Sequence, residues 1–196
     1  MPDALNNLIP FTMKKAITLC FTFGICILSA SAQIYMADSC RVSFFSAATI
    51  EDIAAVNTIS KPIMSTATGE VDIKLNNQGF KFKKPLMEEH FNEEYMETTK
   101  YPYSTFTGKV DQKIDYTKDG ANQVTVTGTM DMHGVKKNIT IPGTITVQGG
   151  ILFLKSTFNI KLADYNVKIP SVLGSNIAEQ VAVTLTATMK QFGGKK

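Results

Sequence analysis

Apolar and polar residues alternate with a period of two through almost the whole second half of the chain. That pattern admits only strands that are dry on one face and wet on the other. In 103–116, Phe106, Val110, Ile114 and Tyr116 share a face opposite Thr105, Thr107, Lys109, Asp111, Lys113 and Asp115. In 122–133, Val124, Val126, Met130 and Met132 oppose Thr125, Thr127, Thr129 and Asp131. Segment 137–147 carries Ile139, Ile141, Ile145 and Val147, and segment 151–162 carries Leu152, Leu154, Phe158, Ile160 and Leu162. The last strand carries Val181, Val183, Leu185, Ala187 and Met189.

The turns between these segments are constrained by parity, because a one-residue slip would put a strand's apolar set in water. The first two segments are apolar at even positions and so need a loop of odd length. Lys118-Asp119-Gly120 suits, as a type I turn followed by a left-handed glycine. The third is apolar at odd positions, which calls for a two-residue primed turn at His133-Gly134 or Gly134-Val135. Gly149-Gly150 restores the even face. Three further strands are read at 40–46, 57–66 and 70–76, with a short extension at 79–83. In PLMEEHFNEEYMET, Met87, Phe91 and Tyr95 recur every four residues among glutamates after Pro85, which predicts one short amphipathic helix. Residues 164–177, with Pro170 and Gly174, read as a long loop. Eight sequential strands with mostly tight connections make an all-β, eight-stranded antiparallel up-and-down barrel with one short helix.

Residues 1–32 stand outside this pattern. Lys14 and Lys15 precede an apolar run from Ala16 to Leu28, and Ala30-Ser31-Ala32 forms a small-residue cleavage site. This is the layout of a secretory signal peptide, and Met13 is its better-placed start. The expectation is an N-terminal extension and cleaved signal over 1–32. A single domain over 33–196 would follow, periplasmic or secreted and with no transmembrane anchor. Cys20 and Cys26 leave with the signal, so the mature chain keeps only Cys40, which has no intramolecular partner. Loss of its thiol should then cost little.

Composition narrows function. With 20 basic and 17 acidic side chains, a net charge of +3 gives no footprint for nucleic acid. Two histidines and no nucleophile elbow give no catalytic residue, and no metal site or cofactor is expected. Glu89 and Glu93 lack the Asp- and Gly-rich loop that wraps calcium. Lys81, Lys83 and Lys84 precede the helix, but alternate with Phe80 and Phe82 and so face solvent. His133 serves its turn, and His90 lies beside the helix's apolar face.

An eight-stranded barrel either fills itself or holds one small ligand. Gly108, Gly128 and Gly143 fall on the apolar face, where they either keep space open or bend the strands. Three motifs then stand in order: YMETTKYPYSTFTGKV (95–110), VTVTGTMDMHGVKKNITIPGTITV (124–147) and FNIKLADYNVKIP (158–170). Together they resemble the YceI-like family, over roughly residues 34 to 190. The resemblance implies an exported, lipocalin-like barrel that binds a long isoprenoid or other amphiphilic lipid as its partner. The first half departs from commoner members, with MEEHFNEEYMET where they carry a more basic stretch. Topology and resemblance together make Phe80, Phe82, Phe91, Phe106, Gly108, Val126, Gly128, Met130, Met132, Phe158 and Ile160 the candidate cavity lining. The expectation is a non-catalytic binding protein. A scaffold module with a filled core, or an enzyme acting on a lipid-like substrate, are its rivals.

Overall fold

The computed structural model describes residues 33–47, 52–168 and 179–193. The leader expected over residues 1–32, and most of the loop with Pro170 and Gly174, lie outside the described residues. Ten strands form one antiparallel sheet: β1 Ile34–Ser46, β2 Ile53–Asn57, β3 Ile63–Ser65, β4 Glu70–Asn76, β5 Lys81–Phe82, β6 Tyr103–Val110, β7 Gly120–Met132, β8 Val135–Gln148, β9 Ile151–Lys161 and β10 Gln180–Gln191. The sheet runs β10-β9-β8-β7-β6-β4-β3-β1, and β1 pairs back with β10 to close an eight-stranded barrel.

β2 and β5 belong to the same eight strands. β2 and β3 pair successive stretches of β1, and β5 and β4 pair successive stretches of that interrupted strand. The segment read as one strand over 57–66 is therefore two pieces, and the chain leaves the sheet at 58–62. Both breaks fall at the same level and are tied by buried polar groups. The Asn57 amide donates to the Asn76 carbonyl (2.7 Å) and accepts from the Ile59 N–H (3.1 Å). The Asn77 amide donates to the Tyr101 carbonyl (2.7 Å) and accepts from the Ser104 hydroxyl (2.9 Å). Gly79 fits beneath them because a Cβ there would lie 2.6 Å from Ile59 Cδ1 and 2.7 Å from Asn57 Nδ2.

β1 starts earlier than its alternation suggests. Asp38 is a bulge residue, after which the inward positions change from Tyr35 and Ala37 to Cys40, Val42 and Phe44. The Asp38 carboxylate meets Lys190 Nζ on β10 at 2.8 Å. β6, expected to continue to Tyr116, ends at Val110 because side chains take over its hydrogen bonds. The Gln112 side-chain oxygen accepts the Thr125 N–H (2.8 Å), and Asp111 accepts the Thr125 and Thr127 hydroxyls (2.9 Å each). The reversal lies at Asp115–Lys118, capped by the Asp115 carboxylate on Thr117 N–H (3.1 Å). Gly120 opens β7 at φ +150°, so it is not the left-handed turn residue expected. The other two turns are primed: His133-Gly134 (φ +52° and +75°), the first of the two pairs the parity allowed, and Gly149-Gly150 (φ +56° and +76°), as expected.

The barrel is solid at one end. Met64, Val147, Leu152 and Met189 are fully buried there with Tyr35, Ala37 and Cys40, and Ile114 and Tyr116 of the 111–119 loop pack against them. Burial pushes the Tyr116 phenol up to about 12 and the Cys40 thiol up to about 11, which keeps both neutral at ordinary pH. Cys40 is thus a small core apolar group, and its replacement is not free. Cys40→Ser should lower stability by about 1–3 kcal/mol, because its hydroxyl would enter an apolar cluster, as read by denaturant unfolding.

The wall opens between β8 and β9. The two-residue turn makes Gln148 and Ile151 a hydrogen-bonded pair, so even-numbered residues of β8 point their backbone groups at β9. Pro142 occupies such a position and has no N–H to give. Pairing stops one rung earlier, at Gly143 and Ser156, and does not resume. The Ser156 hydroxyl donates to the Pro142 carbonyl at 2.6 Å and marks the apex of the wedge. The amides of Thr157, Asn159 and Lys161 face this wedge, whereas those of Phe158 and Ile160 face β10. Amide exchange followed by NMR should be much faster at the first three than at the other two; equal protection would refute the wedge.

Candidate functional site

The rest of the interior is hollow. A cavity of about 430 Å³, in the usual range for small-molecule sites, is walled almost wholly by apolar side chains. Each strand contributes its inward set: Val42 and Phe44 from β1, Ile73 and Leu75 from β4, Phe106 and Val110 from β6. Val124, Val126, Met130 and Met132 of β7, Ile141 and Ile145 of β8, Leu154, Phe158 and Ile160 of β9, and Val181, Val183 and Leu185 of β10 complete the ring.

The helix α1 Pro85–His90 runs on as a π-helical turn, Phe91–Tyr95, and turns Met87, His90, Phe91 and Tyr95 toward the cavity. Glu88 fastens it to β5: its carboxylate meets Lys81 Nζ at 2.5 Å and accepts the Phe82 N–H at 3.3 Å. That lysine holds the Glu88 carboxyl below its ordinary range. Lys81 is accordingly spent on a surface ion pair, and Glu89 and Glu93 are exposed. Phe91 stacks on Phe44 (5.7 Å) and meets Phe80 edge-on (5.4 Å) and Phe82 at a tilt (5.1 Å), making an aromatic cap over this end. Burial, with Glu94 nearby, raises the Tyr95 phenol above its usual range.

His133 is buried but absent from the cavity lining. Its Nε2 lies 2.9 Å from the Glu97 carboxylate and its Nδ1 3.1 Å from the Tyr165 carbonyl, with the Tyr101 ring at 4.5 Å. It ties the β7–β8 turn to Glu97 and to the 3₁₀ turn Leu162–Tyr165. This is a wider tethering role than serving its own hairpin.

Nine of the eleven expected lining residues border the cavity: Phe80, Phe82, Phe91, Phe106, Val126, Met130, Met132, Phe158 and Ile160. Gly108 and Gly128 do not. They face each other across β6 and β7 and edge a shallow depression on the outside. A Cβ on Gly108 would lie 2.7 Å from the Phe106 ring, and one on Gly128 would run into the backbone of Gly108 and Thr107. These glycines therefore bring two strands and one ring close together and hold no space open. Gly143, the third, does border the cavity. The expected lining leaves out Tyr95, Lys155 and Ser156, as well as inward residues such as Phe44, Ile73 and Val183. Tyr95 falls on the helix's apolar face in the sequence, and Lys155 and Ser156 sit where the β8–β9 ladder ends. Gly128→Leu should unfold or distort the barrel, and circular dichroism with thermal melting would show this as a loss of native signal. A native-like spectrum and melt would contradict the close-approach account.

Comparison with known proteins follows from this geometry. Residues 26–189 match the YceI-like domain, most of the chain. The chain belongs to the YceI-like family. Among solved structures it is similar to a polyisoprenoid binding domain from Saccharophagus degradans implicated in plant cell wall breakdown. That likeness is 19% identical with a TM-score of 0.68, covering 81% of this chain and 98% of that one. It is also similar to Burkholderia cenocepacia BcnA, at 16% identity and a TM-score of 0.65, over 76% of this chain and 95% of that one. A mutant Campylobacter jejuni YceI protein with a monobromobimane guest matches at 16% identity and a TM-score of 0.51, over 76% and 85%. At such identities the likeness establishes the fold alone. No curated protein sequence matches the chain.

Proposed function

We propose that this YceI-like protein is an exported, non-catalytic carrier that holds a long apolar lipid, isoprenoid-like in character, inside its barrel. The observation that carries the reading is the hollow, apolar interior of about 430 Å³ behind an aromatic cap. Its mechanism is burial. At ~0.8 kcal/mol per methylene, one five-carbon unit is worth roughly 3–4 kcal/mol, so a few units reach the affinity ceiling. Chain length is then selected by the solid end around Leu152 and Met189, against which a tail must stop.

The same hollow argues against a scaffold with a filled core. An enzyme is disfavoured because no carboxylate borders the cavity among the described residues, where the titratable lining residues are His90, Tyr95 and Lys155. Among those residues no helix is long and apolar enough to cross a membrane. Export rests on the signal-like leader; protein recovered from the envelope or medium should begin at Gln33 by intact mass.

Organic extraction of purified protein followed by mass spectrometry should release an apolar chain lipid. Val126→Phe, which adds bulk in mid-cavity, should reduce the recovered lipid several-fold while circular dichroism stays native. Undiminished lipid in that folded variant would move the ligand out of the barrel.

A further inference from the structure

The cavity wall is apolar nearly everywhere, but one residue with a charged side chain borders it. Lys155 is the single Lys, Arg, Asp or Glu among the described lining residues. It stands on β9 opposite Thr144, one rung inside the Gly143–Ser156 pair at which β8 and β9 part. Its side chain belongs to the outer face, as do those of Thr144 and Pro142, which border the same stretch. The cavity reaches outer-face residues here for two reasons. Gly143 and Ser156 put little bulk in front of them, and the ladder beyond has no N–H from Pro142.

The Lys155 side chain is exposed and makes no ion pair or hydrogen bond with any described residue. Its cross-strand neighbours, Thr144 on β8 and Thr186 on β10, are uncharged. Lys137, on the stretch of β8 not paired with β9, is already matched by Asp164 at 3.0 Å. A lysine at such an edge lays its stem on apolar surface and keeps its ammonium in water. An anion brought there on an apolar tail gains a partner without losing hydration. The helix end offers no such place. Glu88, Glu89, Glu93 and Glu94 line up along the helix, and none of Lys81, Lys83 and Lys84 borders the cavity.

We propose that the cavity takes a single-chain amphiphile with an anionic head, its tail in the barrel and its head emerging between β8 and β9 beside Lys155. The proposal rests on the lipid-binding reading above and adds the ligand's charge, its orientation and a side exit. Two probes on the delipidated full chain test both separately: cis-parinaric acid, a fluorescent polyene fatty acid, and its methyl ester. Both should bind wild-type protein. The ratio of acid to ester affinity should fall roughly two- to five-fold in Lys155→Gln, the size of a solvent-edge ion pair, and hold in Lys155→Arg. An unchanged ratio in Lys155→Gln overturns the head position while lipid binding stands. Wild-type protein that takes the ester but refuses the acid overturns the anionic head. Failure to bind either probe overturns the lipid-binding reading, and this proposal with it.

Discussion

A strand with one dry face must bury it, and eight such strands in sequence have only one another to bury them against. Closure is what meets that demand here. β1 pairs with β10 along ten positions, joining the two ends of the described fold. Every inward side chain then points at a common axis, and the fold has an inside. Whether that inside is solid or hollow is decided by bulk. Methionine, leucine and tyrosine fill one end, whereas valine, isoleucine and inward rings at the wall leave the other open.

Much of this was legible in the sequence. Parity alone located the Gly149-Gly150 turn and the inward faces of β7 to β10, and narrowed the turn before β8 to His133-Gly134 or Gly134-Val135, of which the first forms. What escaped was whatever interrupts a period of two. Asp38 shifts the alternation of β1, so its first residues do not read as strand. Asn57 and Asn77 hold two strands together across breaks by side-chain hydrogen bonds, which no periodicity records. Gln112 lends an amide to the ladder and thereby ends β6.

The site was legible to the same extent and for the same reason. Inward positions follow from alternation, so Phe106, Met130 and Phe158 could be named in advance. Whether an inward glycine opens space depends on how near the next strand and ring lie, and that is tertiary. At Gly108 the neighbouring Phe106 ring takes the room, and at Gly128 the facing backbone does. The wedge could have been read from a proline at an even position of β8. Its meaning needed the register set by the turn at Gly149-Gly150.

The bulge at Asp38 bears on how the ring finds its seat. Joining β1 to β10 is a contact between distant parts of the chain and so a slow event in folding. In a strand of unbroken alternation, sliding by two residues keeps the dry face dry, and several seatings would compete. With Asp38 in place, β1 carries one fixed irregularity, and a slide by two moves it and its carboxylate away from Lys190. The extra residue narrows the search to a single frame, and the Asp38–Lys190 pair sits at that frame's marker.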